Sequence, residues 1–163
     1  MPPLRPENPD VIDWLWNVSP FFSSIQLSMP DELRPMLERH IGPIDPDSQT
    51  FARLGPDDQP ICIVAFSGLR RGDIEISGWA RPGGISRGII RKLAVYAFST
   101  LGVNRVTARA VRSNTDSHRI LTRLGFQIEG TLRRADDGED VLIYGLLPED
   151  LRHVQFTKTP KTS

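Results

Sequence analysis

From Ile61 onward the apolar positions recur with periods that name the elements. Ile61–Leu69 is a nearly unbroken apolar run and predicts a buried strand, closed by Arg70-Arg71-Gly72-Asp73 as a turn or hairpin tip. Asp73–Ala80 sets Ile74, Ile76 and Gly78 against Glu75, Ser77 and Trp79, an alternation that predicts a second strand. A glycine-containing loop, Arg81–Arg87, comes next. Ile89, Ile90, Leu93, Ala97, Phe98 and Leu101 share one face of a helix that Gly102 should end. Val106–Val111 predicts a strand. Asn114–Asp116 offers N-caps for a short helix carrying Ile120, Leu121 and Leu124 and stopped by Gly125. Phe126–Leu132 alternates, and Asp136-Asp137-Gly138 turns the chain into Val141–Leu147. The order strand, strand, helix, strand, helix, strand, strand implies an α/β fold with a mixed sheet and one parallel crossover.

The first sixty residues are less patterned. Residues 1–10 hold four prolines and predict an arm. Val11–Trp16 is a short apolar segment. Pro30-Asp31-Glu32-Leu33 opens a helix, with Leu33, Leu37 and Ile41 at helical spacing and Gly42-Pro43 as its stop. Asp45–Pro60 reads as turns, with a strand near Thr50–Leu54, and Thr157–Ser163 is a polar tail. The 163 residues suit one domain, 1–163.

Charge sharpens this picture. The chain carries 20 Lys+Arg and 20 Asp+Glu. Met1–Pro60 holds ten acidic and four basic residues, whereas Ile61–Ser163 holds ten acidic and sixteen basic. Between Arg81 and Arg134, eleven basic residues face only Asp116 and Glu129. That stretch favours an anionic partner, a phosphorylated small molecule or nucleic acid; its alternative is a solvated face paired with the acidic half. Aromatic residues do not interleave with the basic run, so a nucleic-acid stacking platform is disfavoured. No apolar run approaches the roughly 18 residues of a membrane helix. The N-terminus has no signal-peptide pattern. The single Cys62 excludes an internal disulfide and a cysteine metal cluster, which predicts a reducing, cytoplasmic setting with no metal and no membrane partner.

The loop Arg81-Pro-Gly-Gly-Ile-Ser-Arg-Gly88 carries the candidate chemistry. Gly83, Gly84 and Gly88 let backbone N–H groups approach a ligand, and the succeeding helix N-terminus adds partial positive charge. Arg81, Arg87 and Arg91 surround the loop. A pyrophosphate cradle and an ordinary turn both fit. Neither a P-loop nor a Gly-x-Gly-x-x-Gly fingerprint is present.

Further along come Tyr96-Ala-Phe98, Leu101-Gly102, Asn114-x-x-Ser117, Leu124-Gly125-Phe126 and Glu129-Gly130 with Arg133. Over Ile61–Leu147 this pattern resembles the GNAT superfamily of acetyl-CoA-dependent N-acetyltransferases. Within it the chain looks most like the ribosomal-protein alanine acetyltransferase branch. The Gly-Gly-Ile-Ser-Arg loop is similar to that of phage- and prophage-encoded members. The resemblance implies a GNAT-like mixed, mostly antiparallel sheet flanked by helices, with a central strand-loop-helix cofactor site. It implies acetyl-CoA lying against Asp73–Ala80, with Gly78 as a bulge site and Trp79 and Arg81 close by. Gly83, Gly84, Ser86, Arg87 and Gly88 would donate amides to the pyrophosphate. Ser86 stands where the family usually has a second glycine or alanine.

Asn114 would face the pantetheine arm, its alternative being a helix N-cap. The family's usual tyrosine acid is replaced by Leu121, and Ser117 would reach the sulfur instead; its alternative is a plain first-turn residue. Direct transfer needs a neutral amine, and Glu75 is the candidate base, with a solvent-facing strand position as alternative. Glu129 reads as structural, and His118 points elsewhere on its helix. The expected reaction is acetyl transfer to a primary amine: a protein N-terminus, a lysine or a small molecule. The alternative is a weak or inactive GNAT-fold binding module acting through protein contacts. Family members often dimerise, which makes a homodimer an assembly to test.

Overall fold

A computed structural model describes residues 25–26, 35, 38–39, 42–43, 45–56 and 59–152. The arm, Val11–Trp16, the helical positions Leu33, Leu37 and Ile41, and the tail lie outside them. Among the described residues the strands form a mixed, mostly antiparallel sheet. The chain divides into two compact units, Met1–Ser67 with Ser77–Ser86, and Gly68–Ile76 with Arg87–Ser163.

The first unit contains β1 (Ile25–Gln26), β2 (Gln49–Leu54), most of β3 (Pro60–Arg70) and the end of β4 (Asp73–Ala80). β2 pairs antiparallel with both β1 and β3. Phe51, Ala52, Ile63, Val64, Ala65 and Phe66 are all buried. Burial of consecutive positions means that both faces of β3 are covered, which is why its sequence is an apolar run without alternation. Phe51 and Phe66 meet edge to face at 5.9 Å. Pro35 and Glu38–Arg39 are helical, and Gly42, at φ +85°, donates its N–H to the Glu38 carbonyl as the predicted stop.

The second unit holds the start of β4, α1 (Arg87–Ala94), β5 (Arg105–Val111), α2 (Thr115–Leu124), β6 (Gln127–Asp136) and β7 (Glu139–Leu146). β4 and β5 pair in parallel from Asp73↔Arg105 to Ile76↔Ala108, so the predicted crossover is present. β7 pairs antiparallel with β5 and with β6. Asn114 caps α2 by accepting the Ser117 N–H at 3.1 Å. Gly125 ends α2 at φ +108°, and a Cβ there would strike the Asp150 carbonyl.

Two expectations fail. The single helix predicted over Ile89–Leu101 is α1 followed by a π-helical stretch, Val95–Thr100. The wider i→i+5 turn, seen in Leu101 N–H to Tyr96 O at 2.8 Å, departs from the 3.6-residue spacing of that face. Lys92 and Ala94 are buried, while Ile90, Leu93 and Leu101 stay half-exposed. The alternation expected in Phe126–Leu132 is also absent. Every residue of β6 but half-buried Gly130 is exposed, because β6 is an edge strand with register shifts between Ile128 and Gly130 and between Leu132 and Asp136. Bulges and the adjacent Arg133 and Arg134 are devices that blunt an edge against stray pairing.

The first shift gives Glu129 its role. Arg105 binds its carboxylate at 2.6 Å and also pairs with Asp73 at 3.5 Å, while Thr107 donates to Asp73 at 2.8 Å. That carboxylate lies where a Cβ on Gly145 would be. Gly145→Ala is therefore expected to displace the flexible Glu129 carboxylate and lower unfolding free energy by up to about 1 kcal/mol, the worth of the partly exposed Arg105 pair, in urea denaturation. Adding Glu129→Ala should cost less than the sum of the two single losses. Strict additivity would contradict this packing.

Candidate active site

In the first unit, β4 runs through exposed Gly78 and half-buried Trp79 into the loop. A Cβ on Gly78 would come within 2.9 Å of the Ile63 carbonyl, so the close neighbouring strand requires glycine there. Arg81 is exposed, and its N–H donates to the Ile61 carbonyl at 2.8 Å. Gly84 N–H donates to the Arg81 carbonyl at 2.8 Å, closing a turn, and Arg53 donates to the Gly84 carbonyl at 3.4 Å. The Gly84 amide is thus spent on the turn. Its missing Cβ is explained by the Ile61 and Arg81 carbonyls, at 2.6 and 2.9 Å from where that atom would sit. Gly83 differs: it has φ +74°, and nothing lies within 4 Å of its would-be Cβ. Ser86 is exposed.

In the second unit, α1 opens with exposed Arg87 and half-buried Gly88, and its first turn holds no acidic residue. The exposed N–H groups of a helix start attract anions most when no carboxylate competes. Arg91 is exposed as well. Lys92 is 7% exposed, and burial lowers its pKa from 10.5 to about 8.

Asn114 and Ser117 stand together at the end of β5. Their N-cap bond uses the Asn114 side-chain oxygen and leaves its –NH2 out of the cap. His118 ties this corner together, a role that sequence reasoning misses because its partners are distant in the chain. Its Nε2 faces the carbonyls of Val111 at 2.9 Å and Arg112 at 3.1 Å, and its Nδ1 meets the Tyr144 hydroxyl at 2.5 Å. Two carbonyls around Nε2 place a proton on that nitrogen, and Nδ1 shares a hydrogen bond with the Tyr144 hydroxyl. Tyr144 is buried, and burial raises its pKa. Glu75 lies on β4 opposite Thr107 and forms an ion pair with Arg109 at 3.3 Å. To act as a base it must leave that guanidinium. Cys62 is buried, and burial pushes its thiol up to about 11, which makes it inert. Among the described residues no cluster suited to a metal ion occurs, and no helix is long and apolar enough to cross a membrane.

The family described as Acetyltransferase (GNAT) domain matches residues 10–127. The chain belongs to the GNAT acetyltransferase family. This GNAT chain is 41% identical over 51 residues to the uncharacterized N-acetyltransferase YoaA of Bacillus subtilis (strain 168), covering 31% of the chain and 29% of that relative. It is 32% identical over 82 residues to the uncharacterized N-acetyltransferase p20 of Bacillus licheniformis, covering 48% and 45% respectively. The match thus spans less than half the length of either curated relative. The fold resembles that of a ribosomal-protein-S5-alanine acetyltransferase from Vibrio fischeri, with a TM-score of 0.59, 16% identity, and 78% and 94% of the two chains covered.

The buried Lys92 generates a pH prediction. Its folded pKa of about 8 lies below its ordinary 10.5, so between those values the unfolded chain holds a proton that the folded chain has released. Stability therefore rises with pH in that window. Tyr96 and Tyr144, raised above 10.0 by burial, oppose the rise once the pH passes 10. Denaturation profiles of the wild type should climb relative to Lys92→Met between about pH 8 and 10. Parallel profiles would contradict it.

Proposed function

We propose that the chain is an N-acetyltransferase that moves the acetyl group of acetyl-CoA to a primary amine by direct attack. The observation that carries this reading is the segment Gly83–Gly88. Gly83 has open space in place of a side chain, and the exposed helix start has no acid in its first turn. These features suit an anionic diphosphate, and the family match supplies the cofactor class.

When bound, acetyl-CoA supplies an activated thioester. Gly83, Ser86, Arg87 and Gly88 would hold its diphosphate through main-chain N–H groups, with Arg81, Arg87 and Arg91 adding charge. The side-chain –NH2 of Asn114 is left to bind the pantetheine arm. The acceptor amine, once neutral, forms the new N–C bond as the C–S bond breaks, and the amine's proton leaves to water or a base. Ser117 is the candidate donor to the departing thiolate. Glu75 fills the base role only if it parts from Arg109.

The acceptor class stays at primary amines, with a protein N-terminus favoured by the likeness to the alanine acetyltransferase branch. The phage-like loop is a feature of the same reading, as is one catalytic domain over 1–163.

Calorimetric titration with acetyl-CoA tests the cofactor site. Binding should saturate at one site per chain. Asparagine and aspartate both tolerate a left-handed backbone, so Gly83→Asn isolates the conformational change and Gly83→Asp adds a negative charge. Gly83→Asn should bind much as the wild type does, and Gly83→Asp about tenfold or more weakly. No binding by the wild type would remove the acetyltransferase reading and leave a fold kept for protein contacts.

A further inference from the structure

The β6–β7 hairpin of the second unit carries features that the proposed reaction leaves unused. An open concavity of 660 Å³ is lined by Thr131, Leu132, Arg133, Arg134 and Asp140. Successive residues of a strand normally face opposite sides of a sheet. Arg133 and Arg134 nevertheless line the same concavity, because the backbone departs from strand geometry between Leu132 and Asp136 and Arg134 sits at φ +54°. That left-handed conformation is disfavoured for any residue with a side chain, and such outliers persist where the surroundings impose them.

Asp140 imposes it. The Arg134 N–H donates to Asp140 Oδ1 at 3.0 Å, Arg112 lies 3.5 Å from Oδ2, and the Arg112 N–H donates to the Asp140 carbonyl at 2.9 Å. The one carboxylate in the lining is therefore engaged from two sides. Arg133 and Arg134 form no ion pair among the described residues, and both are exposed. The acidic tip, Asp136, Asp137 and Glu139, does not line the concavity. Glu139 instead accepts from the Ser113 N–H at 3.3 Å and hydroxyl at 3.1 Å. Val141 pairs with Val111, so the hairpin stands at the same end of β5 as Asn114 and Ser117.

We propose that this concavity is a subsite for a carboxylate carried by the amine acceptor. Two guanidinium groups offer paired donors to the oxygens of such an anion, Thr131 adds a hydroxyl, and Leu132 adds an apolar wall. The bulge accepts backbone strain in order to present both arginines together. That the anion belongs to an acetyl acceptor rests on the acetyltransferase reading; binding of the anion does not.

The test is calorimetry on the full chain with the C-terminally amidated tripeptide Ala-Glu-Asp, its neutral counterpart Ala-Gln-Asn, and inorganic phosphate. The acidic tripeptide should bind, and the neutral one should bind about tenfold more weakly or not at all. Arg134→Gly suits a positive φ, so its Tm should hold or rise while affinity for the acidic tripeptide falls by about tenfold. Arg133→Gln, which leaves the bulge untouched, should weaken binding in the same direction. Equal affinity for the two tripeptides, unchanged affinity in both variants, or binding of phosphate without the acidic tripeptide would overturn the assignment. Binding of the acidic tripeptide by a chain that does not bind acetyl-CoA would strike the acetyltransferase reading and leave the subsite standing.

Discussion

Four parallel pairs, Asp73↔Arg105 through Ile76↔Ala108, constrain the rest of the second unit. Parallel neighbours cannot be joined by a tight turn, so the chain needs a crossover before it can return as β5. The crossover provides the glycine loop and then α1, whose N-terminus opens at Arg87. A loop that ends in a helix start brings flexible backbone and unsatisfied N–H groups together, the two properties an anionic cofactor uses. That is where the proposed cofactor site falls.

At the far end of β5 the polar groups are accounted for one by one. Asn114 caps α2, His118 spans from the β5 carbonyls to the Tyr144 hydroxyl, and Asp140 and Glu139 tie the β6–β7 hairpin to Arg112 and Ser113. Bonds of this kind hold a turn in one geometry. The Asp140 tie also holds Arg134 in its strained backbone conformation, so the Asn114 corner and the hairpin concavity rest on shared supports.

Much of this was legible from local pattern. The β4 limits Asp73 and Ala80, the Asn114 cap and the Gly125 stop arise from alternation and terminal residue types, and the structure bears them out. What escaped is non-local. No periodicity announces the π-helical turn after α1, or that Lys92 and Ala94 are buried while Ile90 and Leu93 stay half-exposed. Apolar and polar residues alternate through Phe126–Leu132, yet β6 lies at the sheet edge, and Ile128 is 60% exposed. Glycines can mislead in the same way. Gly84 looks like a ligand-facing residue, but its neighbours are the Ile61 and Arg81 carbonyls, whereas Gly83 is open. Glu75 carries a fitting carboxylate for a base, but Arg109 lies two register positions beyond its partner Thr107 and takes it as an ion pair.

The most direct test of the central claim is residue-resolved amide NMR of the isotope-labelled chain titrated with CoA. Shifts that saturate together at Gly83, Ser86, Arg87, Gly88 and Asn114 are the predicted result. Saturable shifts confined to other residues, or no shifts at those five at concentrations well above a typical cofactor level, would contradict it.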